Sequence, residues 1–152
     1  VYKLSAEEHN GEFIPKIKIS ENPDKITNPG VKKIFRLYDK NTGKIKADLI
    51  ALDHEKIDEG KDLTIFDPLA TWKTMTLKAG KFYAKELLQP VFINGESVIE
   101  ERSVMEIQKH CKEQLETMWE ESRRLVNPQE VFVDLSDKLY EIKKELLNEV
   151  GR

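Results

Sequence analysis

The side chains of this 152-residue chain that could do chemistry are few and widely separated. Three histidines, His9, His54 and His110, are the groups able to carry a proton or hold a metal near neutral pH. His9 and His54 fall in charged, turn-like stretches. His110 adjoins Cys111 in a helical pattern, where adjacent residues diverge by about 100°. No pair has a ligand spacing such as HExxH or CxxC, so spacing supplies no metal centre. Cys111 shares the spacing of the apolar residues around it and is expected to be buried and inert rather than a nucleophile. Carboxylates crowd one late segment (Glu113, Glu116, Glu120, Glu121), but they interleave with Lys109, Lys112, Arg123 and Arg124. That is the pattern of a solvated helix face, not of an acid–base pair. The seven glycines are scattered, and neither GxGxxG nor GxxxxGK[ST] occurs to cradle a phosphate. Read from its own chemistry, the chain carries no catalytic residue and no metal ligand set.

The elements that would position any site divide the chain in two. VYKLSA alternates as a strand already under way, and Asn10-Gly11 supplies the positive φ angles of a tight hairpin before FIPKIKIS, where Pro15 demotes the run to an edge strand or a strand start. ENPDKITNPG is a loop, because Pro23 and Pro29 bar a helix. VKKIFRLYDKNTGKIKADLIALD is the clearest hairpin, with Gly43 at the left-handed position of its loop. LTIFDP and TWKTMTL give two more strands, and Asn94-Gly95 turns a last hairpin between residues 91–93 and 97–99. From Ser103 the period changes. Ser103 and Glu106 form a capping box, and Ile107, Cys111, Leu115, Met118 and Trp119 recur at helical spacing to about Arg124, with Asn127-Pro128 as the stop. A short strand over residues 130–133 follows. A last helix, capped by Ser136 or Asp134, then carries Leu135, Leu139, Ile142, Leu146 and Val150 on one stripe. The fold class is therefore α+β: a β-rich N-terminal half built of hairpins, then two helices flanking a short strand. Phe35, Leu37, Leu49, Ile65, Trp72, Leu115, Trp119, Leu139 and Leu146 are the expected core.

Composition narrows the function classes. Apolar residues make up 39% and charged residues 35%, below and above the usual shares, which suits a well-solvated domain or one that leans on a partner. At this length the chain is one domain's worth. The net charge of −3 is uneven: residues 1–46 hold ten Lys/Arg against six Asp/Glu, and residues 97–152 hold nine against thirteen. Nucleic-acid binding would interleave basic groups with exposed aromatics. Only Phe35 and Tyr38 lie near the basic front, both in a strand-core pattern, so no nucleic-acid partner is expected. No apolar run approaches the 18 or so residues of a membrane span. With Cys111 as its single cysteine the chain has no intrachain disulfide, and a reducing, cytoplasmic setting is expected.

One resemblance stands beside this reading. VYKL, PKIKISENPDKITNPG and IFRLYDKNTGKIKADLIAL resemble the C-terminal portion of the bacterial nicotinate phosphoribosyltransferases. The likeness continues through IFDPLATWK, HCKEQLETMWEE and NPQEVFVDLSDKLYEIKKELL, covering nearly the whole chain in order. The resemblance implies a parent enzyme that joins nicotinate to phosphoribosyl pyrophosphate, assisted by ATP through a phosphorylated histidine, with Mg²⁺ on the pyrophosphate, to give nicotinate mononucleotide in NAD salvage. It implies a barrel holding the site and a flanking domain of mixed structure. None of His9, His54 or His110 lies in a matching motif, so the resemblance assigns no catalytic residue and no cofactor to this chain.

The expectations that follow are specific. Residues 1–20 are the end of the parent barrel, a strand remnant lacking partners, and residues 21–152 are a C-terminal accessory domain. The chain alone is inactive, and its partner is the remainder of the enzyme, with a homodimer left open. Lys18 and Ser20 are the candidate substrate-binding residues, since the segment continuing from a barrel strand lies nearest a barrel-end site and these groups suit a phosphate. The alternative is a free-standing module that binds a protein or an anionic ligand through Lys16, Lys18, Lys32, Lys33 and Arg36.

Overall fold

Asn10 and Gly11 adopt φ of 53° and 84°, the pair of positive angles that closes a two-residue hairpin matching strand twist. They join β1 (Ala6–His9) to β2 (Glu12–Pro15). The structure, a computed structural model, describes residues 2–22 and 25–150, Val150 by its backbone alone. Val1, Pro23 and the side chain of Val150, to which the sequence reading assigned roles, lie outside the described residues. The strand expected from VYKLSA pairs only from Ala6, and residues 2–5 belong to no strand. Ser5 still accepts hydrogen bonds through its carbonyl from Lys16 N (2.8 Å) and Gly30 N (2.6 Å), so the hairpin is tied to the loop that follows it. That loop is itself anchored. Lys18 N donates to Thr27 Oγ1 at 2.8 Å, Pro29 is buried, and Lys143 Nζ donates to Asn28 Oδ1 at 2.8 Å.

The central sheet grows from the predicted hairpin. β3 (Lys32–Asp39) and β4 (Ile45–Leu52) pair antiparallel with Phe35 opposite Leu49 and Leu37 opposite Ala47. β5 (Leu63–Asp67) and β6 (Ala70–Leu77) form a separate hairpin; β7 (Phe82–Glu86) adds to the free edge of β3. β8 (Phe92–Ile93) and β9 (Glu96–Ser97) are the arms of the Asn94-Gly95 turn. Then come α1 (Val104–Glu116), α2 (Glu120–Arg123), β10 (Phe132–Leu135) and α3 (Asp137–Val150). β10 returns from the far end of the chain to lie parallel to β4, giving the sheet order β10-β4-β3-β7. The α+β class holds.

Side chains alternate across a strand, and both faces of this sheet are used. Leu37, Ala47, Leu49, Ala51 and Phe82 pack against Ile65 and Leu77 of the β5–β6 hairpin. On the opposite face Leu52 and Leu135 pack against Leu139 of α3, with Ile142 half-buried beside them. Ser136 caps α3 as expected, its Oγ accepting from Leu139 N at 3.3 Å and also donating to Glu55 Oε1 at 2.6 Å. Asp134, the other cap considered, lies within β10.

Five expected placements differ. Trp72 is 79% exposed; it shares its face of β6 with Thr74 and Thr76, and Thr76 Oγ1 meets Thr64 Oγ1 on the exposed surface. The alternate residues, Met75 and Leu77, take the core. Leu115 and Trp119 are also exposed, Cys111 is exposed rather than buried, and Leu146 is only half-buried. The helix holding Cys111 and Leu115 has an apolar stripe, but none of its residues is buried. That helix ends at Glu116 rather than near Arg124, because the start of β4 captures its last carbonyls. Lys44 Nζ donates to Glu116 O (2.7 Å) and Met118 O (3.1 Å), and Ile45 N donates to Thr117 O (2.9 Å). Trp119 Nε1 returns a hydrogen bond to Ile45 O at 2.7 Å.

Leu37→Ala, which opens a cavity between the sheet and its covering hairpin, is expected to cost about 2–5 kcal/mol in urea unfolding. Trp72→Ala is expected to stay within about 0.5 kcal/mol; equal losses from the two would invalidate the facing assigned to β6.

Candidate functional site

Most of the basic groups singled out in the front half are engaged within the domain. Lys16 pairs with Glu7 at 3.1 Å, and Lys32 donates to the carbonyls of Pro29 and Gly30, its pKa lowered by burial. Lys33 approaches Glu86 at 3.7 Å and lies over the Phe35 ring. Arg36 grips Asp48 in two parallel hydrogen bonds of 2.7 and 2.8 Å. That hydrogen bonding is the main reason its pKa is raised; fork-on-fork geometry of this kind is the strong form of the contact. Beside it Tyr38 stacks on Tyr83 with ring centroids 4.8 Å apart. Four of the five cations proposed for an anionic ligand therefore already have partners. Of the five, Lys18 alone has no side-chain partner among the described residues.

Lys18 and Ser20 flank one loop, but their roles differ. The Lys18 side chain is exposed, and its backbone is clamped by Thr27, which also donates from its amide to Lys18 O at 3.2 Å. Ser20 is half-buried, and its Oγ accepts from Asn22 N at 3.3 Å, a local turn bond. His9, His54 and His110 remain apart, and among the described residues no three His, Cys, Asp or Glu side chains converge on a point a metal could occupy.

A feature of another kind lies elsewhere. A groove of about 670 Å³ runs between the β8–β9 hairpin and α1, lined by Gln89, Pro90, Val98, Ile99, Glu100, Arg102 and Ile107. Phe92 and Ile93 on the hairpin and Val104 and Met105 on the helix are exposed as well. Local chemistry still dictates the helix: Ser103 N and Oγ each donate to Glu106 Oε2 at 2.7 Å, closing the capping box. These bonds hold the Glu106 carboxyl below the usual glutamate range. No residue of α1 is buried. This apolar flank is rimmed by charge and left uncovered among the described residues. The sequence held the signal for it in the helical stripe; what was missing was the assumption that a stripe need not face the domain's own core.

These features define an α+β domain with a closed two-faced core and an open apolar flank. Comparison with known proteins narrows the class. The family model of the nicotinate phosphoribosyltransferase C-terminal domain matches residues 31–143. Nicotinate phosphoribosyltransferase of Bacillus subtilis (strain 168) is 35% identical over 150 residues, which are 99% of this chain and 30% of that protein. The enzyme of that name from Caenorhabditis elegans is 32% identical over 143 residues, 93% of this chain and 24% of the relative. The crystal structure of human nicotinic acid phosphoribosyltransferase aligns with a TM-score of 0.67 at 24% identity, over 83% of this chain and 24% of that one; the likeness there is one of fold. The chain belongs to the nicotinate phosphoribosyltransferase C-terminal domain family, and it spans less than a third of the length of these relatives.

The depressed Glu106 pKa carries a sign. A carboxylate whose folded pKa is lowered stabilises above its unfolded value, near 4.3, and loses that contribution as pH falls through the folded value. The amides of the first turn of α1 are expected to exchange faster as pH drops below about 4.3, beyond the intrinsic chemical trend. Glu106→Gln should flatten that excess, and an unchanged profile in the variant counts against the capping box as its source.

Proposed function

We propose that this chain is the C-terminal part of an enzyme that joins nicotinate to phosphoribosyl pyrophosphate, with the help of ATP, to give nicotinate mononucleotide in NAD salvage. Its own contribution is structural: it forms an interface with the rest of the enzyme and does no chemistry alone. The observation that carries this reading is the exposed apolar flank of α1 and the β8–β9 hairpin, in a chain that spans 30% of its Bacillus relative. A lone helix of this length is marginal in water, so a partner that buries its stripe accounts for its sequence. ATP and Mg²⁺ belong in this reading to the remainder of the enzyme; among the described residues no three His, Cys, Asp or Glu side chains converge. No helix is long and apolar enough to cross a membrane; a cytoplasmic setting and a homodimeric enzyme are part of the same proposal.

Amide exchange tests the interface. Residues 104–116 are expected to exchange rapidly in the 152-residue chain and to be protected in the enzyme that contains it, while the chain alone forms no nicotinate mononucleotide. Rapid exchange in both settings would remove the interface role.

Lys18 and Ser20 stay in the proposal as residues near a phosphate of the substrate. What supports it is the exposed, unpaired ammonium of Lys18 on a loop whose backbone is held firmly by Thr27. In the whole enzyme Lys18→Ala and Ser20→Ala are expected to raise KM for phosphoribosyl pyrophosphate. If both variants lose stability with unchanged kinetics per folded molecule, the loop is structural and the assignment is withdrawn.

A further inference from the structure

Asp134 is a carboxylate in the wrong place for a core. The parallel register sets Phe132 and Asp134 beside Ala47 and Leu49, on the face of the sheet that the β5–β6 hairpin covers. Asp134 is 4% exposed, and no side chain or amide among the described residues donates to its carboxylate. Buried carboxylates are ordinarily paired or hydrogen-bonded. The neighbouring charge at the end of β5 has the wrong sign: Asp67 raises the Asp134 pKa further after burial itself has raised it. Asp67 uses Oδ1 to accept from Leu69 N (2.8 Å) and Ala70 N (3.2 Å) and has no cation on its other oxygen.

The two carboxylates border one cavity of about 220 Å³, lined also by Lys73, Thr74, Met75 and Phe132. No buried side-chain oxygen or nitrogen of the described residues is both sealed from solvent and unpartnered, so the Asp134 carboxylate meets solvent through this cavity. Drug-sized ligands occupy pockets from about 300 Å³ upward, and this one is smaller. Met75 and Phe132 offer an apolar wall for a methylene stem, with the carboxylates beyond for a charged head, the division that long basic side chains need. The domain's own candidate, Lys73 on β6, lies exposed at the rim and forms no ion pair with either aspartate. The outer edge of β10 pairs with no strand, which leaves room for a segment to run beside the cavity.

We propose that the Asp67–Asp134 cavity is a socket for one lysine or arginine side chain, supplied by the part of the enzyme outside these 152 residues. This rests on the reading of the chain as one domain of a larger enzyme, whose remainder makes up more than two-thirds of the Bacillus relative. The socket gives that contact a direction and a register that the apolar groove beside α1 does not. A cation there turns two carboxylates that repel into a bridged pair, and leaving it out keeps a buried charge uncompensated.

The test follows the Asp134 carboxyl carbon by NMR through a pH titration, in the 152-residue chain and in the whole enzyme. In the whole enzyme it is expected to titrate below the ordinary aspartate value of about 3.9, as beside a fixed cation; in the chain alone it should titrate above it. Asp134→Asn should lower the thermal midpoint of the whole enzyme, where it strands the cation. In the chain alone it should raise the midpoint at neutral pH, where it removes an unpaired charge. Lys73→Gln should change none of these signs. Titration above about 3.9 in the whole enzyme overturns the proposal, as does a low value that disappears with Lys73→Gln. Protection of α1 in the same whole-enzyme sample separates the outcomes: with α1 covered and Asp134 still titrating high, the socket fails while the interface reading stands.

Discussion

Strand β4 is hydrogen-bonded along both edges, to β3 on one side and to β10 on the other, and its side chains are buried or half-buried on both faces. A strand so placed has no solvent side, and the rest of the domain follows from satisfying it. The face bearing Ala47, Leu49 and Ala51 requires a cover, which is the β5–β6 hairpin; the face bearing Leu52 requires another, which is α3. The parallel pairing of β10 with β4 requires a long crossover, which here runs through β5, β6 and β7 before reaching β10. The last part of it, carrying β8, β9, α1 and α2, contributes almost nothing to the core. Much exposed apolar surface therefore lies on a part that contributes little to the core.

Charge is arranged to the same end. On the second face of the sheet Arg36 and Asp48 sit opposite one another in register and neutralise each other in two hydrogen bonds. Glu55 closes the junction between β4 and α3 by accepting from Leu52 N and Ser136 Oγ. Lys44, in the loop before β4, serves as a C-terminal cap for α1, a role a basic residue within the helix's own last turn would ordinarily take; α1 has none there. Against this internal pairing, the carboxylate of Asp134 and the apolar groove stand out as the two features that the domain does not satisfy by itself. Both belong to elements at its margin.

The placements that sequence reading missed share a cause. Trp72, Leu115 and Trp119 were assigned to the core on hydrophobicity and period, and each is exposed. For Trp72 the correct parity was legible: Thr74 and Thr76 share its face, and threonine pairs belong on solvated sheet surface. For α1 the period was right and the inference from it was not, since an amphipathic stripe states only that something apolar will cover it. The burial expected for Cys111 fails for the same reason.

What the sequence alone determined are the features that depend on a few neighbouring residues. The Asn-Gly turns follow from which residues tolerate positive φ, the capping box from the reach of Ser103 and Glu106, and the β3–β4 hairpin from period-two alternation about a short loop. The α+β class follows from where the period changes, and the family from the long ordered match. Only the tertiary structure decided the parallel pairing of β10 with β4, the early end of α1 on Lys44 and Ile45, and the meeting of Asp67 with Asp134. Each of these joins residues more than sixty positions apart in the chain. Local periodicity carries no information about such pairings, because they are selected by which faces remain uncovered once the local elements have formed.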